Sequence, residues 1–198
     1  MNGSLALVGA LMFASSGWFG YALANVLIQR WHGDRFGDVW PLLVVPACAI
    51  AGAEFGLRET NPLHLLALSF IVVALVALLR CDVRIHWTPP WLSLIPLACI
   101  CALALLQHAY AVPLAALLVS VPFASVALMT RGAGMSWSDV RIAALGASLL
   151  GLFPAVVAFS AAGLLLAFIQ WGLRRHATVQ MAPYLIGATA VAALAFGG

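Results

Sequence analysis

The chain has 198 residues, 65% of them hydrophobic and 8% charged, with a net charge of +3. A soluble surface carries roughly a quarter charged residues, so this composition excludes a water-soluble globular domain and makes lipid the solvent. The charge comes from nine arginines and no lysine; in so apolar a chain it reports membrane orientation and gives no reason to expect nucleic acid as a partner.

The apolar runs are continuous rather than alternating, which predicts helices and not a barrel, because hydrocarbon offers no partner for free backbone groups. In chain order the predicted segments are 4–29, 39–55, 63–79, 91–107, 112–129, a short sixth at 140–153, 155–172 and 182–196. The expected fold is therefore all-α, a polytopic membrane bundle of about eight segments forming one domain over residues 1–198. The first run is too long for a signal peptide and lacks a basic flank before it, so it is expected to stay. The sixth reaches only about 21 Å at 1.5 Å per residue, and Pro154 is expected to close it into a tight hairpin with the seventh.

Arginine orients these segments, because cytoplasmic loops carry the excess. With the N-terminus outside, Arg30 and Arg35, Arg80 and Arg84, Arg131 and Arg141, and Arg174 and Arg175 fall in or beside four cytoplasmic loops; Arg58 alone falls outside. Trp31, Trp40, Trp87, Trp91, Trp137 and Trp171 flank the same loops, at the depth an indole prefers. No fixed-period repeat, low-complexity tract or long linker divides the chain.

Membrane carboxylates are costly, so each of the six acids needs a reason. Asp34 and Asp38 share a loop with Arg30 and Arg35, and Glu59 adjoins Arg58, which suits solvated, balanced charges. Glu54 is spaced i, i+4 from Arg58 and can pair with it. Asp82 and Asp139 remain, both at the cytoplasmic edge. Two carboxylates meeting at one depth hold a proton between them and can activate a water against a peptide carbonyl. The plainer alternative is that Asp82 pairs with Arg80 or Arg84, while Asp139, with Arg141 nearby, caps a helix.

Cys48, Cys81, Cys99 and Cys101 have no paired CxxC spacing and are read as packing residues. His32, His64, His86, His108 and His176 lack ligand spacing, so no metal is expected. Ser136 and Ser138 have no histidine or lysine near in sequence to act as a base.

The segment GAGMSWSDVRIAALGASLLG, residues 132–151, resembles the signature of the type IV prepilin peptidases, GxGD-type membrane aspartyl proteases in which GMGxGD is followed by a basic residue, small residues and a GxxxxG spacing. CDVRIHWTPPWLSL, residues 81–94, is similar to that family's other motif, an aspartate at a span end before a proline-containing turn. GWFGYALANVLIQR and APYLIGATAVAAL resemble the family's first and last helices, so the likeness covers nearly the whole chain in order. It implies Asp82 and Asp139 as the catalytic pair, supported by Gly134, Met135, Ser136, Ser138 and Arg141.

In this likeness Ser136 and Ser138 stand where the family has glycines, adding a Cβ where a positive φ would call for glycine, and Arg141 replaces the usual lysine. The cysteine-rich cytoplasmic insertion of the larger members, associated with methyl transfer, is replaced by the short loop 30–38. The resemblance therefore implies the short form, without zinc or S-adenosylmethionine and with no cofactor. The activity it implies is cleavage of a basic leader from prepilin or pseudopilin substrates of type IV pilus or type II secretion systems. The site would lie at the cytoplasmic face of the bacterial inner membrane. The alternatives are a non-catalytic relative acting in pilus or secretion-system assembly and a small proton-coupled transporter relaying protons through Asp82 and Asp139.

Overall fold

A computed structural model describes residues 2–32, 40–58, 62–85, 88–131, 135–172 and 181–196. The described residues form helices joined by short turns, without a strand. The elements are α1 (Asn2–His32), α2 (Trp40–Arg58), α3 (Pro62–Ile85), α4 (Pro90–Leu106), α5 (Ala111–Met129), α6 (Trp137–Leu150), α7 (Leu152–Gly172) and α8 (Ala182–Phe196). Each predicted apolar segment corresponds to one helix. Four of them, α1, α2, α5 and α7, are long and apolar enough to cross a membrane.

The helix ends follow local chemistry. The third helix outlasts its apolar run by six residues, to Ile85, because arginine, cysteine and aspartate do not break a helix, whereas the Pro89-Pro90 pair ahead does. Pro90 opens α4 at a position where its missing N–H costs no hydrogen bond. The break between α6 and α7 falls at Gly151, with φ 79° and ψ 174°, a backbone region essentially reserved for glycine. Pro154, expected to make this hairpin, lies in the first turn of α7, where proline is tolerated.

Tertiary contacts divide the chain into two compact units, Met1–Thr88 and Pro89–Gly197. In the first, α1 packs antiparallel on α2 with their backbones in near contact: a Cβ on Gly52 would strike the Gly9 carbonyl, and one on Gly56 the Leu5 carbonyl. Gly52 and Gly56 form a GxxxG step. In lipid, where hydrophobicity does not drive helices together, such small residues allow the close approach that does. Phe13 and Phe55 stack at 5.8 Å beside this seam. Gly20, further along α1, faces Val73 and Val76 of α3.

In the second unit, α6 touches α4, α5, α7 and α8. Residues Ile142, Ala143, Leu145 and Ala147 are completely enclosed. At Gly146 a Cβ would come within 2.6 Å of Thr189 Oγ1 in α8 and 2.7 Å of Phe159 Cζ in α7, so glycine is what lets those helices close on α6. The hydroxyls of Ser148 and Thr189 donate to Leu145 O and Leu185 O in their own helices, at 2.7 and 2.8 Å, which satisfies them without a foreign partner. Large apolar side chains such as Leu42, Ile50, Leu106, Phe153 and Phe168 are left outward, as a lipid-facing surface requires.

Candidate functional site

Asp139 lies at the third position of α6, just before the apolar run that begins at Val140. The residue opening that helix is Ser136, in extended conformation at φ −84° and ψ 157°. Its hydroxyl accepts from the Asp139 N–H at 3.3 Å, and the Asp139 carboxylate returns the bond by accepting from the Ser136 N–H at 2.9 Å. This reciprocal capping box satisfies two of the donors that a helix start leaves open. The plainer reading of Asp139, a helix-capping acid, therefore describes part of its environment.

The carboxylate receives more than a cap requires. Ser136 Oγ donates to Asp139 Oδ2 at 2.8 Å, and Ser136 Oγ is also in close hydrogen-bond contact with Ser138 Oγ. A hydroxyl has one proton to give. With the carboxyl ionised, the Ser136 proton goes to Asp139, which makes Ser138 the donor to Ser136 and sets the order from Ser138 through Ser136 to Oδ2. Asp139 is 5% exposed, and Oδ1 accepts no hydrogen bond from the described residues while not being fully enclosed. Burial pushes the carboxyl above its ordinary value, against the opposing pull of the Ser136 side-chain and backbone bonds.

Neither serine shows the backbone that calls for glycine. Ser136 is extended, and Ser138 lies inside the helix, so the added Cβ atoms meet no positive φ. Arg141, expected near Asp139, turns back so that its Nε donates to Trp137 O at 3.1 Å. Met135 is half-buried beside Ser136, while Gly134 lies outside the described residues.

Asp82 belongs to the first unit, in the last turn of α3 rather than beyond it, and is 6% exposed. Arg80, expected in a cytoplasmic loop, is wholly buried in the same helix. Its guanidinium carbon sits 5.2 Å from the centre of the Tyr21 ring and 5.6 Å from that of Trp40, so α1, α2 and α3 meet around one cation. Aromatic faces attract a desolvated cation, so these two rings contribute to holding the arginine away from water. Glu54 pairs with Arg58 at 2.7 Å, as its spacing predicts, and both are partly exposed. Asp34, Asp38 and Glu59 lie outside the described residues.

No family model, curated protein or solved structure matches this chain. Among the described residues no cluster of three or more histidines, cysteines or acids is placed to hold a metal. Cys48 packs against Gly17 and Cys81 is buried, as packing residues, whereas Cys99 is exposed on α4. His108 contacts the Tyr110 hydroxyl at 3.2 Å in the turn between α4 and α5.

Sequence reasoning missed two features. The burial of Arg80 has no local signal, because the rings around it come from α1 and α2. The Gly52–Gly56 step is a signal that spacing does carry, in GAEFG, and it marks the α1–α2 seam.

Proposed function

We propose that this chain is a membrane aspartic endopeptidase of the prepilin peptidase type, with Asp82 and Asp139 as its catalytic pair. The observation that carries this reading is the contrast among the described acids. Glu54 is partly exposed, whereas Asp82 and Asp139 are both buried in an apolar helical chain, at 6% and 5% exposure. Buried membrane carboxylates are expensive and mark function. The resemblance of residues 132–151 and 81–94 to the two aspartate motifs of that family supplies the reaction.

In that reaction one carboxylate takes a proton from water as the water oxygen bonds to the peptide carbonyl carbon, and the protonated partner gives its proton to the carbonyl oxygen. The tetrahedral diol then collapses. The C–N bond breaks, the first carboxyl passes its proton to the departing nitrogen, and a diol hydroxyl returns its proton to the partner, which restores both acids. No cofactor is required. The substrate is a pilin- or pseudopilin-like protein with a basic leader before an apolar helix; anionic headgroups attract such a leader and hold its cleavage site at the depth of the two acids.

The placement that suits this chemistry is eight crossings of a bacterial inner membrane, with the N-terminus outside and both aspartates at the cytoplasmic edge, as the arginine distribution favours. Purified protein in anionic vesicles, mixed with a panel of prepilins and pseudopilins, is expected to release the leader from at least one, read by mass spectrometry. Intact substrates throughout the panel would contradict the reading.

The capping box supports a second reading, a relative that binds pilin-like helices without cutting them, because it gives Asp139 a structural task. Ser136→Gly combined with Ser138→Gly separates the two. An inert wild type and an active double variant would favour the binding protein; a wild type that cuts rules it out.

A further inference from the structure

We propose that Ser136 and Ser138 are positioning residues for Asp139: the hydroxyl chain from Ser138 through Ser136 fixes Oδ2 and leaves Oδ1 as the oxygen that takes the proton of the attacking water. The inference rests on the peptidase reading and adds which oxygen reacts and what holds it. Two donors of Ser136, the backbone N–H at 2.9 Å and Oγ at 2.8 Å, converge on Oδ2. The Ser138 hydroxyl keeps the Ser136 proton turned toward the carboxylate. With Oδ2 held from two directions, rotation about the terminal side-chain bond is restricted and Oδ1 has one orientation.

The same bonds stabilise the charged carboxylate, the form a proton acceptor must take, and oppose the effect of burial. On the elements packed against α6, few other groups can set that balance. Helices α5 and α7 carry no titratable side chain; α4 carries Cys99 and Cys101, and α8 carries Tyr184. None of these three hydrogen-bonds Asp139. On α6 itself Arg141 is engaged with the Trp137 carbonyl. Within this unit, Ser136 is thus the described residue whose hydrogen bonds hold the Asp139 carboxylate.

The test uses the full chain in vesicles and reads the carboxyl directly. The infrared C=O band of Asp139, assigned by its loss in Asp139→Asn, is titrated in wild type, Ser136→Ala, Ser136→Thr and Ser138→Ala. Removing the Ser136 hydroxyl is expected to move the titration midpoint upward by about one pH unit, since a lost charge-assisted bond is worth roughly that much. Threonine, which keeps the hydroxyl and the cap, should restore the wild-type midpoint, and Ser138→Ala should fall between. The acid limb of leader cleavage should shift in parallel.

A Ser136→Ala midpoint equal to that of wild type would overturn the proposal even if the protein cuts prepilins. Conversely, a shifted midpoint in a protein that cuts nothing would retain the hydrogen-bond chain and discard the peptidase. Ser138→Ala leaves the capping box in place, so it reports on the chain even if Ser136→Ala proves too unstable to purify; a Ser138→Ala midpoint at the wild-type value would then overturn the role given to Ser138.

Discussion

Asp139 carries opposing influences that pH can separate. Its carboxyl titrates above the ordinary value because burial outweighs the Ser136 bonds. A raised folded value means the stability contributed by the protonated acid is fully present below the unfolded value, about 3.9, and is lost as pH rises through the folded one. Asp139→Asn cannot ionise, yet its side-chain oxygen can still accept from the Ser136 N–H. Thermal melting in detergent should therefore show the variant gaining on wild type as pH rises through that window, then holding a constant lead. A second residue-scale expectation concerns Arg80. Enclosed between Tyr21 and Trp40, it should cost about 2 kcal/mol on truncation to Ala, by denaturant unfolding, as a desolvated cation–π contact does. At this scale the sequence was an uneven guide. The Glu54–Arg58 pair follows from i, i+4 spacing alone, because both partners share one helix. The backbone at Ser136 does not follow: a family glycine suggests positive φ, but a serine hydroxyl can cap a helix only from an extended residue, and that is the conformation it takes.

The elements were more legible, because eight apolar runs punctuated by proline, glycine and arginine leave little choice of where helices start and stop. What spacing did not disclose is the surroundings of each helix. The sixth segment reads as a short span, and its burial among four neighbours follows from the small residues along it, which allow contact on several sides. Gly146→Ala should accordingly cost about 1–3 kcal/mol, since Thr189 and Phe159 must move. Gly151→Ala should cost a similar amount, about 1–3 kcal/mol, for a different reason: no side chain obstructs it, but its φ of 79° does. Melting temperatures of the two variants check both, and a Thr189→Ala background should relieve the first and leave the second unchanged.

For the whole molecule, composition points to lipid, and four helices long and apolar enough to cross a membrane agree. The orientation rests on arginine asymmetry, and it predicts that the α4–α5 turn faces outward while the end of α5 faces the cytoplasm. In a background without native cysteines, Gln107→Cys should react with an impermeant thiol reagent from outside, and Met129→Cys only after the inner face is opened. Both positions are exposed. The sequence alone does not fix the partner: two scarce acids in an apolar chain suit a protease and a proton relay alike, and the motif resemblance is what favours peptide cleavage. Leader release by the purified protein, compared with its Asp82→Asn and Asp139→Asn variants, tests that claim most directly. The expected result is cleavage by wild type and none by either variant, with all three folded; cleavage retained by both variants would contradict it.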